Sequence, residues 1–300
     1  MKPPPFDYYA PRSLLEAIDL LVRYEGAARP LAGGQSLVPM LNFRLAQPAA
    51  LIDLRLVEGL DGISLEGNTV RIGAMTRQRQ AEHSALVAQH LPLMRAALQW
   101  VGHAPTRTRG TIGGSIALAD PSAELPLVLR ALDGEVLAAG PEGVRAIRAE
   151  LLFHSIFTTA LAPDEILTEI RLPKMPPDCG FAIEEFARRP GDFAIVAVAV
   201  VLEPLGQSMI RARIAIAGAT DTVFRVPSAE RLLGVGPLTT EVIEAAAASA
   251  AECCNPMSDP RISGDYRRQL IRVLTRRALL KAAVTPGPWQ QPSSNPSLVK

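Results

Sequence analysis

Two adjacent-glycine segments constrain this chain more than any other feature: Ala32-Gly33-Gly34-Gln35-Ser36 and Thr111-Ile112-Gly113-Gly114-Ser115. A glycine pair between a strand and a helix tolerates positive φ and leaves no Cβ in the path of an approaching ligand. Its backbone N–H groups then form a nest for an anion, and Gln35 and Ser36 add side-chain donors. A lone pair of this kind reads first as a structural tight turn. Two of them, roughly 80 residues apart, can bring donors from two sides, as a diphosphate requires. No Gly-Lys-Ser/Thr follows either segment, and no G-x-G-x-x-G is present, which disfavours ATP hydrolysis and a Rossmann-type NAD site. The pairing points to the phosphates of one nucleotide cofactor.

The segments sit in an ordered pattern. Ser13 followed by Glu16 predicts a capping box opening an amphipathic helix to about Tyr24, ended by Gly26. A short strand (28–32) runs into the first glycine pair, followed by a helix (38–44) and a strand (51–54), a small α/β unit with parallel pairing. From Leu60 the pattern changes. Ile63–Glu66 and Thr69–Gly73 alternate around Gly67-Asn68 as a hairpin. Thr76 is expected to cap a helix through Ala81, and Pro92 to open one reaching Trp100. After the second glycine pair come a helix to Leu132 and strands at 135–139, 144–147 and 166–172. Three prolines within 173–177 mark a domain boundary. Beyond it, 181–187, 194–203 and 209–217 read as antiparallel strands, and 228–233, 240–251 and 264–283 as helices, the last with a basic, solvated face. The tail 286–300 is rich in Pro, Ser, Asn and Gln and reads as disordered.

Composition excludes several function classes. With 31 basic and 30 acidic residues among 300, net charge +1, the chain shows no electrostatic footprint for nucleic acid. Its start has no apolar signal region, and its longest apolar stretch, 193–202, is too short to span a bilayer, so a cytoplasmic location is expected. Cys179, Cys253 and Cys254 form no CxxC and no four-ligand set, so neither a cluster nor a structural zinc is expected here, and they read as buried reduced thiols. His83, His90, His103 and His154 are not at metal-ligand spacing; His83 and His90 read as surface residues, while His103 lies near the second glycine pair. Ser36 and Ser115 lack a His/Asp context for a hydrolytic triad. Asp120 and Glu124, four apart, could be taken as an acid/base pair, but Asp120 before Pro121 reads better as a turn residue. Arg107 and Arg109 either neutralise phosphate or hold the loop through its carbonyls.

Five ordered segments carry a specific resemblance: Ala32–Ser36, Arg109–Ser115, Ala119–Pro126 (ADPSAELP), Pro163–Pro173 (PDEILTEIRLP) and Arg188–Val196 (RRPGDFAIV). From about Pro5 to about Ala283 the chain resembles the FAD-binding medium subunit of the molybdenum hydroxylases, the family of the carbon monoxide, xanthine and N-heterocycle dehydrogenase flavin subunits. The resemblance implies an α+β protein. A PCMH-type FAD-binding domain of two α/β subdomains (about 1–58 and 59–175) precedes a C-terminal α+β domain (176–285) of antiparallel sheet and helices. It implies FAD contacts by Leu31, Ala32, Gly33, Gly34, Gln35, Ser36, Leu37 and Val38, and by Thr111, Ile112, Gly113, Gly114 and Ser115, at the phosphates and ribityl chain. Val101 would line the adenine or flavin pocket, Glu124 would hydrogen-bond the cofactor, Leu167 would pack on the flavin edge and Phe193 would lie over the ring. Relatives often place a lysine near the flavin where this chain has Glu184-Glu185; Glu185 is carried as a cofactor contact, though the lysine's own contact is in doubt. Thr108 replaces a common Asn, and Ser115 an Asn found in some members.

The implied function is electron transfer through FAD. Electrons would arrive from the [2Fe-2S] clusters of a small partner subunit and leave to an external acceptor such as NAD+, a quinone or a cytochrome. Substrate would react at a molybdenum cofactor on a large partner subunit, in a dimer of heterotrimers; this chain would hold no metal and no catalytic residue of its own. The alternative is a stand-alone FAD oxidoreductase of the same superfamily. Some of those carry covalent flavin on His or Cys, and neither lies in the first segment here. A scaffold subunit that has lost flavin is opposed by the intact glycine pairs.

Overall fold

The computed structural model describes residues 2–205, 209–234 and 236–284; the tail expected to be disordered lies outside them. In chain order the elements are β1 (Asp7–Tyr9), α1 (Leu14–Arg23), β2 (Ala28–Leu31), α2 (Leu37–Asn42), β3 (Ala50–Asp53), β4 (Ile63–Glu66), β5 (Thr69–Gly73), α3 (Gln78–Glu82), α4 (Ala85–His90), α5 (Pro92–Leu98), α6 (Ala104–Arg109), α7 (Ile112–Leu118) and α8 (Glu124–Ala131). There follow β6 (Glu135–Gly140), β7 (Gly143–Arg148), α9 (Ala149–Leu152), β8 (Phe153–Ser155), β9 (Thr158–Thr159), β10 (Ile166–Pro173), β11 (Gly180–Phe186), β12 (Val196–Pro204), β13 (Ile210–Ala217), β14 (Phe224–Arg225), α10 (Pro227–Leu233), α11 (Thr240–Glu252) and α12 (Gly264–Val284).

The first unit is a parallel sheet in the order β1-β3-β2, with α1 packed on it. Ser13 caps α1 by accepting the Glu16 amide at 3.2 Å, while the Glu16 carboxylate reaches back to the Arg12 amide at 3.0 Å. The capping box thus closes one residue earlier than expected. Buried Ala17, Ile18, Leu20 and Leu21 recur at helical spacing and pack with Ile52 and Leu54. β1 was hidden in the sequence by the prolines around it; it registers Asp7 against Ala50 and Tyr9 against Ile52.

The second unit is an antiparallel sheet in the order β4-β5-β10-β6-β7 under a layer of short helices. Thr76 does not cap a helix as expected. Its hydroxyl instead bridges the amide and carbonyl of Gly62, both at 3.0 Å, and α3 starts at Gln78 with Arg77 at its N-cap. Gly113 and Gly114 lie not in a loop but inside the first turn of α7, where Thr111 is the N-cap.

The third unit is the antiparallel sheet β11-β12-β13-β14. One face packs on α10, α11 and α12 through Ala182, Val198, Val200 and Ile214. The other carries Ala197, Ala199, Val201 and Ala215 into the same core as Leu125, Val128 and Leu129 of α8. The second and third units therefore share one continuous apolar core. Cys179 and Cys254 are buried, and burial pushes the Cys179 thiol up to about 12. Cys253 departs from the buried expectation: it sits exposed at the C-terminus of α11, 2.8 Å from the Ser228 hydroxyl. Among the described residues no helix is long and apolar enough to cross a membrane.

Candidate cofactor-binding site

β2 delivers the chain into the first glycine segment, and α2 carries it away. Gly34 has φ +71°, a left-handed conformation that glycine adopts without steric cost. The amides of Gly33, Gly34, Gln35 and Ser36 donate to no acceptor among the described residues, so an open row of donors faces outward. The Gln35 side chain adds no outward donor to that row: its Nε2 turns back to the Gly33 carbonyl at 3.2 Å. Leu31 and Val38 line the inner side of the turn, both in van der Waals reach of Gly34.

The second segment is built differently. Its amides from Ile112 to Ser115 are engaged inside the protein: Ile112 with the Thr76 carbonyl at 2.9 Å, Gly113 with the Ala74 carbonyl at 2.9 Å, Gly114 with the Thr111 hydroxyl at 3.0 Å and Ser115 with the Thr111 carbonyl at 3.3 Å. The pair of nests expected from sequence becomes one open nest and one closed helix start. The glycines of the second segment answer to packing rather than to φ. A methyl on Gly113 would fall within 3.0 Å of Ala74, and one on Gly114 within 3.0 Å of Thr111 Oγ1 and 3.2 Å from the Ala32 Cβ. A methyl on Gly33 would strike the Arg109 carbonyl and Gly110. The two segments, distant in sequence, interlock in space.

Arginines brace this junction. Arg107 binds Glu82 at 2.9 Å and the Val101 carbonyl at 2.9 Å, so of the two roles open to it the loop-holding one is realised. Arg77 donates to the Arg109 carbonyl, and the Arg109 side chain is exposed. Val101 and Leu167 are both buried in the shared core. Thr168, next to Leu167, accepts the Ala74 amide at 2.8 Å, which ties β10 to the floor under Gly113.

Two further expected contacts, Glu124 and Glu185, lie on α8 and β11. Glu124, the first residue of α8, is only 5% exposed, and burial with Asp120 nearby raises its carboxyl to about 7. Asp120 accepts the Ser122 amide at 2.9 Å, the turn role read from sequence. The alternation of β11 sends its two glutamates to opposite faces. Glu184 pairs with Lys281 of α12; Glu185 faces the first half of the chain with its Oε2 buried and unbonded, and burial plus the charge of Glu124 raise it to about 8.

Phe193 lies in the β11–β12 connection and is 61% exposed. It borders a cavity of about 240 Å³ that is also lined by Pro121, Ser122, Arg188, Arg261 and Arg267. Gly191 in the same connection packs directly on the His103 ring, linking the connection to the start of α6. Arg267 was missed: α12 read as basic and solvated on one face, yet Arg267 is 8% exposed. It donates to the carbonyls of Ile195 at 2.7 Å and Gly218 at 2.5 Å and to Asp259 at 2.5 Å, fixing the segment that carries Phe193. Its signal was its phase, four residues before buried Ile271 on the inner stripe of α12. Among the described residues no group of His, Cys, Asp and Glu is placed to hold a metal ion.

An open row of amides and a second glycine segment interlocked with it sit on an α+β scaffold. Residues 4–175 match the family described as FAD binding domain in molybdopterin dehydrogenase, and residues 181–282 match the CO dehydrogenase flavoprotein C-terminal domain. The chain belongs to the FAD-binding medium subunits of the molybdenum hydroxylases, an oxidoreductase family, and its cofactor is FAD. It is 42% identical to the 6-hydroxypseudooxynicotine dehydrogenase complex subunit alpha of Paenarthrobacter nicotinovorans, over 94% of this chain and 96% of that one. It is also 42% identical to the nicotine 6-hydroxylase medium subunit of the same organism, over 94% and 99%. Its structure is similar to a chain of carbon monoxide dehydrogenase from Hydrogenophaga pseudoflava, with a TM-score of 0.93 at 37% identity, covering 96% of this chain and 100% of that one.

Proposed function

We propose that this chain takes electrons from the iron–sulfur clusters of a small partner subunit and passes them through FAD to an external acceptor, while substrate reacts at a molybdenum cofactor on a large partner subunit. The assembly is a dimer of such heterotrimers in the cytoplasm. When bound, the flavin supplies the redox chemistry; the chain's own residues bind it, orient it and set its surroundings. The amides of Gly33, Gly34, Gln35 and Ser36 hold the diphosphate, with the Ser36 and Ser115 hydroxyls beside them. Leu31, Ala32, Leu37 and Val38 shape the near wall, and Thr111, Ile112, Gly113 and Gly114 form a rigid wall opposite. Phe193 covers the ring, Glu124 and Glu185 offer it polar atoms, and Val101 and Leu167 form the apolar backing.

One observation carries this reading: four consecutive amides without an acceptor, interlocked with a second segment whose amides from Ile112 to Ser115 are engaged. Consecutive amides at a glycine turn leading into a helix form a cradle for anionic oxygens; a diphosphate supplies several at once. The names of the relatives as subunits of complexes support the partner assignment. The test is to purify the chain with the products of its neighbouring genes and record a visible spectrum together with iron and molybdenum content. Flavin with co-purifying iron and molybdenum is the expected result. Flavin without either metal would instead identify a stand-alone oxidoreductase, and folded protein without flavin would remove the site.

A further inference from the structure

Stretches of chain that are far apart in sequence meet around the cavity of about 240 Å³ beside Phe193, and hydrogen bonds fasten them to one another. The Gly218 amide donates to the Pro121 carbonyl at 2.7 Å, and the Met257 amide to the Ala219 carbonyl at 2.9 Å. Asp259 Oδ1 accepts the amides of Arg261 and Ile262 at 2.8 and 3.0 Å, and its Oδ2 accepts Arg267 at 2.5 Å. Arg267 also donates to the Ile195 and Gly218 carbonyls, so it and Asp259 neutralise each other within the wall. Two more arginines line the cavity, Arg188 and Arg261, and both side chains are exposed. Neither guanidinium meets a carboxylate or a carbonyl among the described residues, and the Asp192 carboxylate meets no cation there.

The charges on the wall select the charge of a ligand. Three arginines against Asp192 and Asp259 leave one positive charge in excess, which suits a monoanion. A dianion such as phosphate would bring more charge than the wall returns and would repel the Asp192 carboxylate. A guanidinium recognises a carboxylate through two parallel N–H donors. Much of the remaining wall is apolar, with the Phe193 ring, the Met257 thioether and Ile262, and ring and thioether both favour an aromatic neighbour. Roughly 150 Å³ is enough for a benzene-sized molecule, so about 240 Å³ accommodates one ring with a carboxylate attached. We propose that this cavity binds a monoanionic aromatic carboxylate of a single ring, with Arg188 and Arg261 on the carboxylate and Phe193, Met257 and Ile262 around the ring. A hydroxyl or N–H substituent on that ring meets its acceptor in Asp192.

None of the residues that line the cavity belongs to either glycine segment, so the carboxylate site is separate from the open row of amides. Phe193 is where the two come closest in role. Its side chain is exposed while Ala194 and Ile195 behind it are buried, and the Ile195 amide is fixed to the Phe186 carbonyl at 2.8 Å. The ring therefore projects from a held backbone, and a ligand packed against it restricts its movement. On the reading that Phe193 covers the flavin, filling the cavity alters the flavin's surroundings without touching the flavin. That consequence rests on the flavin reading; the carboxylate site does not.

The experiment uses the full chain and benzoate as the probe, by titration calorimetry without flavin and by visible absorption with it. Saturable binding of one benzoate per chain is expected, with a dissociation constant of about 1 mM or tighter; no saturation at roughly ten times that concentration would overturn the proposal. Arg188→Gln and Arg261→Gln should each weaken binding roughly 10-fold or more, as loss of a charged hydrogen-bond partner does, while Arg272→Gln, at an exposed position on α12, should leave it unchanged. Equal losses from all three would reveal diffuse attraction of anions and overturn the site. Two comparisons need no variant. Benzamide has the ring without the charge, and phosphate has the charge without the ring. Each should bind at least about tenfold more weakly than benzoate, and parity of either with benzoate would overturn the assigned ligand class. In the flavin-bound protein, benzoate should shift the flavin absorption band. Arginine-dependent binding with an unmoved band would sustain the site and sink the link through Phe193. Benzoate binding by folded protein that never takes up flavin would sustain the site and sink the flavin reading instead.

Discussion

Four glycines look alike in the sequence and do three different jobs. Gly34 needs its backbone angle, since φ +71° puts any other residue in the left-handed region at a cost of roughly 1–2 kcal/mol. Gly33 and Gly113 need the absence of a side chain, because a methyl there would overlap backbone atoms of Arg109 and Ala74. Gly114 lies against Thr111 and Ala32 and closes the contact between the segments. Gly113→Ala is therefore expected to lower the stability of the flavin-free protein by about 1–3 kcal/mol, the usual range for overpacking, as well as to weaken flavin binding; chemical denaturation of the apoprotein measures the first effect. A loss of flavin at unchanged apoprotein stability would show that Gly113 serves the ligand alone. Gln35→Ala, by contrast, removes only a brace to the Gly33 carbonyl and should leave the denaturation midpoint nearly unchanged.

Helix starts show what periodicity and capping chemistry can and cannot reveal. Ser13 and Thr111 both cap, each accepting the amide three residues on, at 3.2 and 3.0 Å. Thr111→Val should cost about 1 kcal/mol, the typical price of a lost N-cap, and should loosen α7 where it meets Ala32; thermal melting reads the first, and hydrogen exchange at Gly114 the second. The strands 63–66, 69–73 and 166–173, the antiparallel run beyond residue 180 and the three final helices were all legible, because each has a clean period or a clear turn signal. The short pieces were not. β1 is three residues between prolines, and α6 is a single stretch containing Pro105, so neither gives a pattern long enough to detect. Thr76 was misread because a Thr before a helical run looks like a cap whether or not its hydroxyl has a better partner elsewhere. In the site, the glycine segments and Glu124 could be picked out by motif, but the engaged state of the second row of amides depends on Ala74 and Thr76, some 35 residues upstream. No local reading could contain that, nor the split of Glu184 from Glu185 by the pleat of β11.

At the scale of the molecule, a few long-range fasteners connect the halves. Arg267 satisfies the carbonyls of Ile195 and Gly218 from within α12, and the Gly218 amide in turn donates to Pro121 at 2.7 Å. Arg267→Ala would leave two buried acceptors unmet and should destabilise the fold by about 2–4 kcal/mol, with increased mobility around Phe193; urea denaturation and limited proteolysis of the 188–195 connection would detect it. The apolar core common to α8 and β12–β13 has a further meaning during synthesis. The ribosome delivers residue 175 well before residue 217, and at ordinary elongation rates of about 5–20 residues per second the interval is roughly 2–8 s. Through that interval Leu125, Val128 and Leu129 have no sheet to cover them. The nascent chain is sticky at this stage, and a premature stop near residue 175 would release a fragment bound for aggregation or degradation rather than a small flavoprotein.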